Sequence, residues 1–140
     1  MVLRLLLALI FGAAIGYVRE IKKKAAGLRT HTLVCLGSTL FTLVSIEMVK
    51  GMNGGDPSRI ASCVVTGIGF IGAGTIFQSG NNVRGLTTAA SIWVCAAIGL
   101  AVGAGLYSIA TATTILALIV IQLLQIWEQK FLRESEKESQ

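Results

Sequence analysis

The sequence predicts an all-α protein, a polytopic membrane helix bundle of about five transmembrane helices with its N-terminus outside and its C-terminus inside. Three observations carry that expectation. Of the 140 residues, 54% are hydrophobic and 14% are charged, with a mean hydropathy of +0.75; an ordinary soluble domain carries about 25% charge. Between Ile60 and Trp127 the only charged side chain is Arg84, so a water-exposed surface has almost nothing to build on over half the chain. The cationic residues, finally, gather on alternate connections.

Crossing about 30 Å of hydrocarbon takes roughly 20 apolar residues. The first such run is Val2–Val18, preceded by Met1 and interrupted only by Arg4. Because "REIKKK" follows it, it reads as an uncleaved helix held by positive charge, in contrast to a signal peptide, whose charge precedes the apolar stretch. The second is Thr32–Val49, with Glu47 near its end, and the third is Ile60–Phe77. Leu86–Trp127 is long enough for two more, with a break expected at "GAGLYS", Gly103–Ser108, where glycines loosen a helix and a tyrosine suits an interface. Backbone polar groups in lipid must be satisfied internally, which favours helices for all of these.

Arg19, Lys22, Lys23, Lys24, Arg29, Arg84, Lys130, Arg133 and Lys137 fall on one side of such a five-helix chain, and only Arg4, Lys50 and Arg59 on the other. The positive-inside rule places the first set in the cytoplasm. Residues 1–127 are then a transmembrane helical domain and 128–140 a short charged cytoplasmic tail. This topology accounts for the net charge of +5, so no nucleic acid partner is inferred; the partner expected from composition is the lipid bilayer, and the triple lysine favours anionic headgroups. Cys35, Cys63 and Cys95 are odd in number and widely spaced, so they encode no disulfide framework, and no metal site or cofactor is expected.

"VVTGIGFIGAGTIF", Val64–Phe77, spells a dinucleotide-binding Gly-x-Gly-x-x-Gly through Gly67, Gly69 and Gly72. That fingerprint requires an acid about 20 residues on to hold a ribose, and no Asp or Glu occurs from Pro57 through Trp127. In lipid, small residues four apart let helices approach closely. Gly12 with Gly16 and Gly99 with Gly103 have that spacing, and Gly67, Gly69, Gly72 and Gly74 are read in the same way. Four glycines in eight residues also leave open a kinked or locally unwound third helix whose freed carbonyls line an ion site.

Ionisable groups near a bilayer are costly enough to merit attention. Asp56 before Pro57 has N-cap chemistry and, with Arg59, is a candidate outer site. Arg29 and Arg84 stand at the inner face with Glu20 as the nearby acid, either as anchors or as a pocket for an anion or headgroup. His31 is the one group with an ordinary titration near neutral pH. Thr87, Thr88 and Ser91 are expected to bond to neighbouring helices or to their own carbonyls. No nucleophile–base–acid set is apparent, so an enzyme is not expected.

"AAGLRTHTLVCLGS" (25–38), "DPSRIASCVVTGIGFIGAGTI" (56–76) and "VRGLTTAASIWVCAAIGLAVGAGLY" (83–107), in this order, resemble the membrane domain of the MgtC/SapB family of bacteria. The resemblance implies a bacterial inner-membrane protein tied to magnesium homeostasis, stress adaptation and virulence: a non-enzymatic regulator under low magnesium, acid or intracellular stress, acting on the membrane ATP synthase. It directs attention to Arg19, Glu20, Arg29, Thr30, His31, Asp56, Arg59, Arg84, Thr87 and Thr88. Family members often carry an acid where this sequence has Val18, and their best-known members continue into a soluble C-terminal domain that this sequence does not show. The alternative is a small Mg²⁺ or H⁺ transporter or channel with a glycine-broken third helix. Five helices make a thin pore wall, so a homo-oligomer is expected, a dimer first.

Overall fold

Twenty residues of α-helix rise about 30 Å, the thickness of the hydrocarbon layer, and the apolar runs of this chain take that form. In the computed structural model, which describes residues 1–51 and 55–124, the order is α1 (Val2–Ile21), α2 (Leu28–Val49), α3 (Ser58–Ala73), β1 (Phe77–Ser79), β2 (Asn82–Arg84), α4 (Leu86–Ala104) and α5 (Tyr107–Ile119), which continues as a π-helical turn over Val120–Leu124. The tail expected over residues 128–140 lies outside the described residues. Helices α1, α2 and α4 are long and apolar enough to cross a membrane. Helix α3, with 16 residues, rises about 24 Å and is shorter.

The five helices alternate in direction. At one end Arg19 of α1 meets Thr88 of α4, and His31 of α2 meets Ser91. At the other, Arg4 of α1 donates to the Gly103 carbonyl at 2.6 Å and the Tyr107 hydroxyl at 3.1 Å, tying α1 to the α4–α5 junction. That junction falls within the expected break: Gly105 has φ +83°, and the Gly105 and Leu106 amides donate to Val102 and Ala101. This is a Schellman stop, which glycine adopts at no Cβ penalty.

The core lies between α1, α2 and α4, and glycine lets their backbones close on one another. A Cβ at Gly12 would stand 2.8 Å from the His31 carbonyl oxygen and 2.8 Å from the Thr32 Cα. One at Gly16 would stand 2.7 Å from the Leu28 Cα, and one at Gly99 or Gly103 would collide with the α2 backbone or the Thr42 side chain. Thr39 Oγ1 then reaches the Gly99 carbonyl at 2.7 Å. Small residues thus convert close approach into interhelical hydrogen bonding, as lipid favours.

Helix α3 differs from expectation in three ways. It runs unbroken through Gly67, Gly69 and Gly72, so no unwound segment forms there. Gly67 and Gly69 face open space within the chain, Gly72 makes ordinary contact with Ala89, and Gly74 lies at the helix end against its own carbonyls. The helix stops at Ala73, short of Phe77, and Phe77–Ser79 pairs antiparallel with Asn82–Arg84. The all-α expectation therefore omits a small hairpin. Its two-residue turn begins at Gly80 with φ +59°, the arrangement hairpins of this length favour.

Outward-facing side chains are as apolar as the interior. Phe70 is 85% exposed and Leu33 65%, while Arg19 is 2% and His31 0% exposed. Apolar residues outside and polar residues inside suit a bundle surrounded by lipid and not by water.

Candidate functional site

Helical periodicity carries polar groups into the bundle at one end. The buried residues of α1 are Ala8, Gly12, Ile15, Gly16 and Arg19, a single stripe at the spacing of one helix face. Arg19 closes it, and its guanidinium Nη2 donates to Thr88 Oγ1 in the first turn of α4. The α2 stripe opens on His31 and continues through Cys35, Ser38, Thr39 and Thr42; that of α4 opens on Thr88 and Ser91. Three helix ends therefore deliver Arg19, His31, Thr88 and Ser91 to one buried cluster.

Its hydrogen bonds can be counted through. His31 Nδ1 lies 2.8 Å from the Gly27 carbonyl, which can only accept, so Nδ1 carries a proton. Nε2 lies 3.0 Å from Ser91 Oγ, which itself lies 2.8 Å from the Thr88 carbonyl. Ser91 has one hydroxyl proton to give. With His31 neutral it goes to Nε2; with His31 charged, Nε2 donates and the Ser91 proton turns to Thr88. The cluster thus couples the protonation of His31 to the first turn of α4, where Arg19 is also anchored. Cys95 Sγ donates to the His31 carbonyl at 3.2 Å, closing α4 against α2. Arg19 Nε and Ser38 Oγ are buried without a partner among the described residues.

The other residues singled out in the sequence do not join this cluster. Glu20 is exposed, and its Oε2 accepts from the Leu28 amide at 2.9 Å, capping the start of α2. The side chains of Arg29 and Arg84 are exposed and make no hydrogen bond or ion pair among the described residues. Asp56 and Arg59 are exposed at the start of α3. Asp56 Oδ1 accepts from the Ser58 amide at 2.8 Å and from the Ser58 hydroxyl at 2.7 Å, satisfying an orphan donor of the helix. Glu47 pairs with Lys50 at 2.6 Å, the one ion pair among the described residues. Cys35, Cys63 and Cys95 are free thiols, and no group of three His, Cys, Asp or Glu side chains is gathered for a metal among the described residues.

The Ser58 hydroxyl and then the Ser58 amide hold the Asp56 carboxyl below its usual range, with Arg59 adding to them. A lowered carboxylate pKa supports folding fully above the unfolded value of about 3.9, and that support is lost as pH falls through the lowered one. The protection of the first-turn amides of α3, their exchange relative to that of the unfolded chain at the same pH, is therefore expected to stay constant from neutral pH down to about 4 and to fall below it. With Asp56→Ala this protection is low throughout. An acid-independent first turn in the wild type would remove this cap.

A stripe-packed bundle with lipid-compatible exterior and a buried polar cluster at one end is a helical membrane protein. The sequence model of the MgtC family matches residues 5–130, and the chain belongs to that family. It is similar to the putative magnesium transporter YhiD of Escherichia coli K12, at 48% identity over 87% of this chain and 59% of that protein. It is also similar to the MgtC protein of Brucella abortus strain 2308, at 46% identity over 84% of this chain and 48% of that protein, and to the MgtC protein of Salmonella typhimurium LT2, at 44% over 89% and 52%. The chain spans about half the length of these curated relatives. No solved structure matches it.

Proposed function

We propose that the chain is a multi-pass protein of the bacterial inner membrane, crossing it five times with its N-terminus outside. It acts there as a non-enzymatic regulator in adaptation to low magnesium, acid or intracellular stress, by docking its helices against a larger complex, the membrane ATP synthase. The family and the magnesium-related name of one relative support the physiological setting. The observation that carries the mechanism is the character of the core. Among the described residues, the charged side chain buried in it is a guanidinium, Arg19, at 2% exposure, and the helices around it close backbone to backbone on glycine.

A conduit for Mg²⁺ needs hard oxygen ligands, usually carboxylates, along its path. The described carboxylates Glu20, Glu47 and Asp56 lie on the surface, bonded to Leu28, Lys50 and Ser58. A buried fixed cation opposes cation passage, so the transporter reading is the weaker one. For docking, α3 offers an open face: Gly67 and Gly69 meet nothing within the chain, beside an apolar groove of about 540 Å³ between α2 and α3. A second copy seated there would make the expected homodimer, and a helix of the target complex would use the same small-residue packing.

The test is ATP-driven proton pumping in inverted inner-membrane vesicles with and without the chain. Slower pumping at equal ATP synthase content is the expected result. Equal pumping rates would remove the ATP synthase as the target.

A further inference from the structure

We propose that the inner end of the bundle holds a binding site for a phosphoryl anion, formed by the Arg19 guanidinium and the N-terminus of α4. Arg19 is 2% exposed and lies within a helix long and apolar enough to cross a membrane. Burying a charge without a counter-charge is strongly unfavourable, yet no carboxylate pairs with Arg19 among the described residues. Its neighbour Glu20 points away to the Leu28 amide. The guanidinium makes a hydrogen bond to Thr88 Oγ1, and its Nε is left without a partner among the described residues.

The surroundings favour an anion of this class. Thr88 belongs to the first turn of α4, a 19-residue helix whose N-terminus has no side-chain cap and no acid in its first turn. Such an end concentrates backbone N–H groups and the positive end of the helix dipole. A guanidinium beside it offers a planar fork matched to phosphate oxygens. Lys22, Lys23, Lys24, Arg29 and Arg84 flank the same end and raise the local concentration of anions. Next to the same turn, a cavity of about 310 Å³ among α1, α4 and α5 is lined by Thr87, Ser91, Thr113 and apolar side chains, large enough for part of a small ligand or an acyl chain. The phosphoryl group can come from free phosphate or from a phospholipid headgroup. The site holds whether or not the chain acts on the ATP synthase.

The test uses the full chain in maltoside detergent micelles free of phospholipid, with thermal midpoints and native mass spectrometry as readouts. One arm titrates inorganic phosphate against chloride at matched ionic strength; the other adds phosphatidic acid to the micelle. The expected result is a concentration-dependent rise in midpoint, and a bound adduct, in at least one arm. Arg19→Gln, which keeps a donor and removes the charge, should weaken that binding tenfold or more, while Arg59→Gln, exposed at the start of α3, leaves it unchanged. Response to phosphate alone identifies a free anion, and response to phosphatidic acid alone a headgroup. Absence of response in both arms with the wild-type chain overturns the proposal. So does an equal response in a folded Arg19→Gln. If Arg19→Gln does not fold, Arg19→Lys takes its place: it keeps the charge and loses the fork, and unchanged affinity there also overturns the proposal.

Discussion

Gly99→Leu is expected to destabilise the bundle more than any other single change on its small-residue faces. A side chain at this position runs into the Cys35 carbonyl and stands 2.8 Å from the Ser38 Cβ, so α2 and α4 must separate. Overpacking a core costs about 1–3 kcal/mol when side chains can shift, and here the obstacle includes backbone. Separation also breaks the Thr39–Gly99 hydrogen bond, worth about 1 kcal/mol. Cys35 and Cys95 are buried, so their labelling by a maleimide dye on heating reports the loss of the core. The midpoint of Gly99→Leu should fall well below that of the wild type, or the protein should fail to accumulate. Gly67→Leu, whose site is open, should melt like the wild type. Equal midpoints for the two variants would contradict the packing of α2 on α4.

The second large effect is expected from a single methyl group, in Gly85→Ala. Gly85 starts α4 with φ +92°, and a Cβ there would collide with the Thr75 carbonyl and stand 3.2 Å from the Ile76 Cα. The left-handed conformation alone costs an L-residue about 1 kcal/mol, and the collision adds to it by forcing the segment after α3 away from α4. Gly80→Ala is the matched control: φ is +59° and the surrounding space is open, so it bears the conformational cost alone. Thermal midpoints and the rate of proteolysis between residues 77 and 84 should both place Gly85→Ala well beyond Gly80→Ala. Indistinguishable variants would mean that the hairpin does not pack as described.

The helices were legible because lipid imposes a simple requirement: long uncharged runs broken where charge or glycine returns. The pairs Gly12/Gly16 and Gly99/Gly103 could be read for the same reason, since spacing on one helix specifies a face. For Gly67 and Gly69, glycine density does not say which face of a helix turns to its neighbours within the chain: in α3 Ile68 and Gly72 are buried and Val64 packs beside them, while Gly67 and Gly69 face away. The hairpin was hidden by its size; two strands of three residues are too short for alternation to show, although Gly80 and the asparagines beside it carry a turn signal.

At the candidate site, His31 stands out in the sequence by its titration, whereas Arg19 stands with Lys22–Lys24 in a run of positive charge that orients the chain. Arg19 continues the stripe Ala8, Gly12, Ile15 and Gly16 inside α1, whereas the lysines follow the helix end at Ile21. Asp56, Arg59, Arg29 and Arg84 were prominent because they are charged and close to spans. Their exposure depends on how the connections fold, which spacing alone does not determine.

The measurement that bears most directly on the account is ion flux through the purified chain in proteoliposomes, for Mg²⁺ and for protons, at high protein density. A regulator built around a buried guanidinium is expected to leak no faster than empty liposomes, with Asp56→Asn indistinguishable from the wild type. Flux above that background, abolished by Asp56→Asn, would contradict the account and make the chain a transporter with its site at the start of α3.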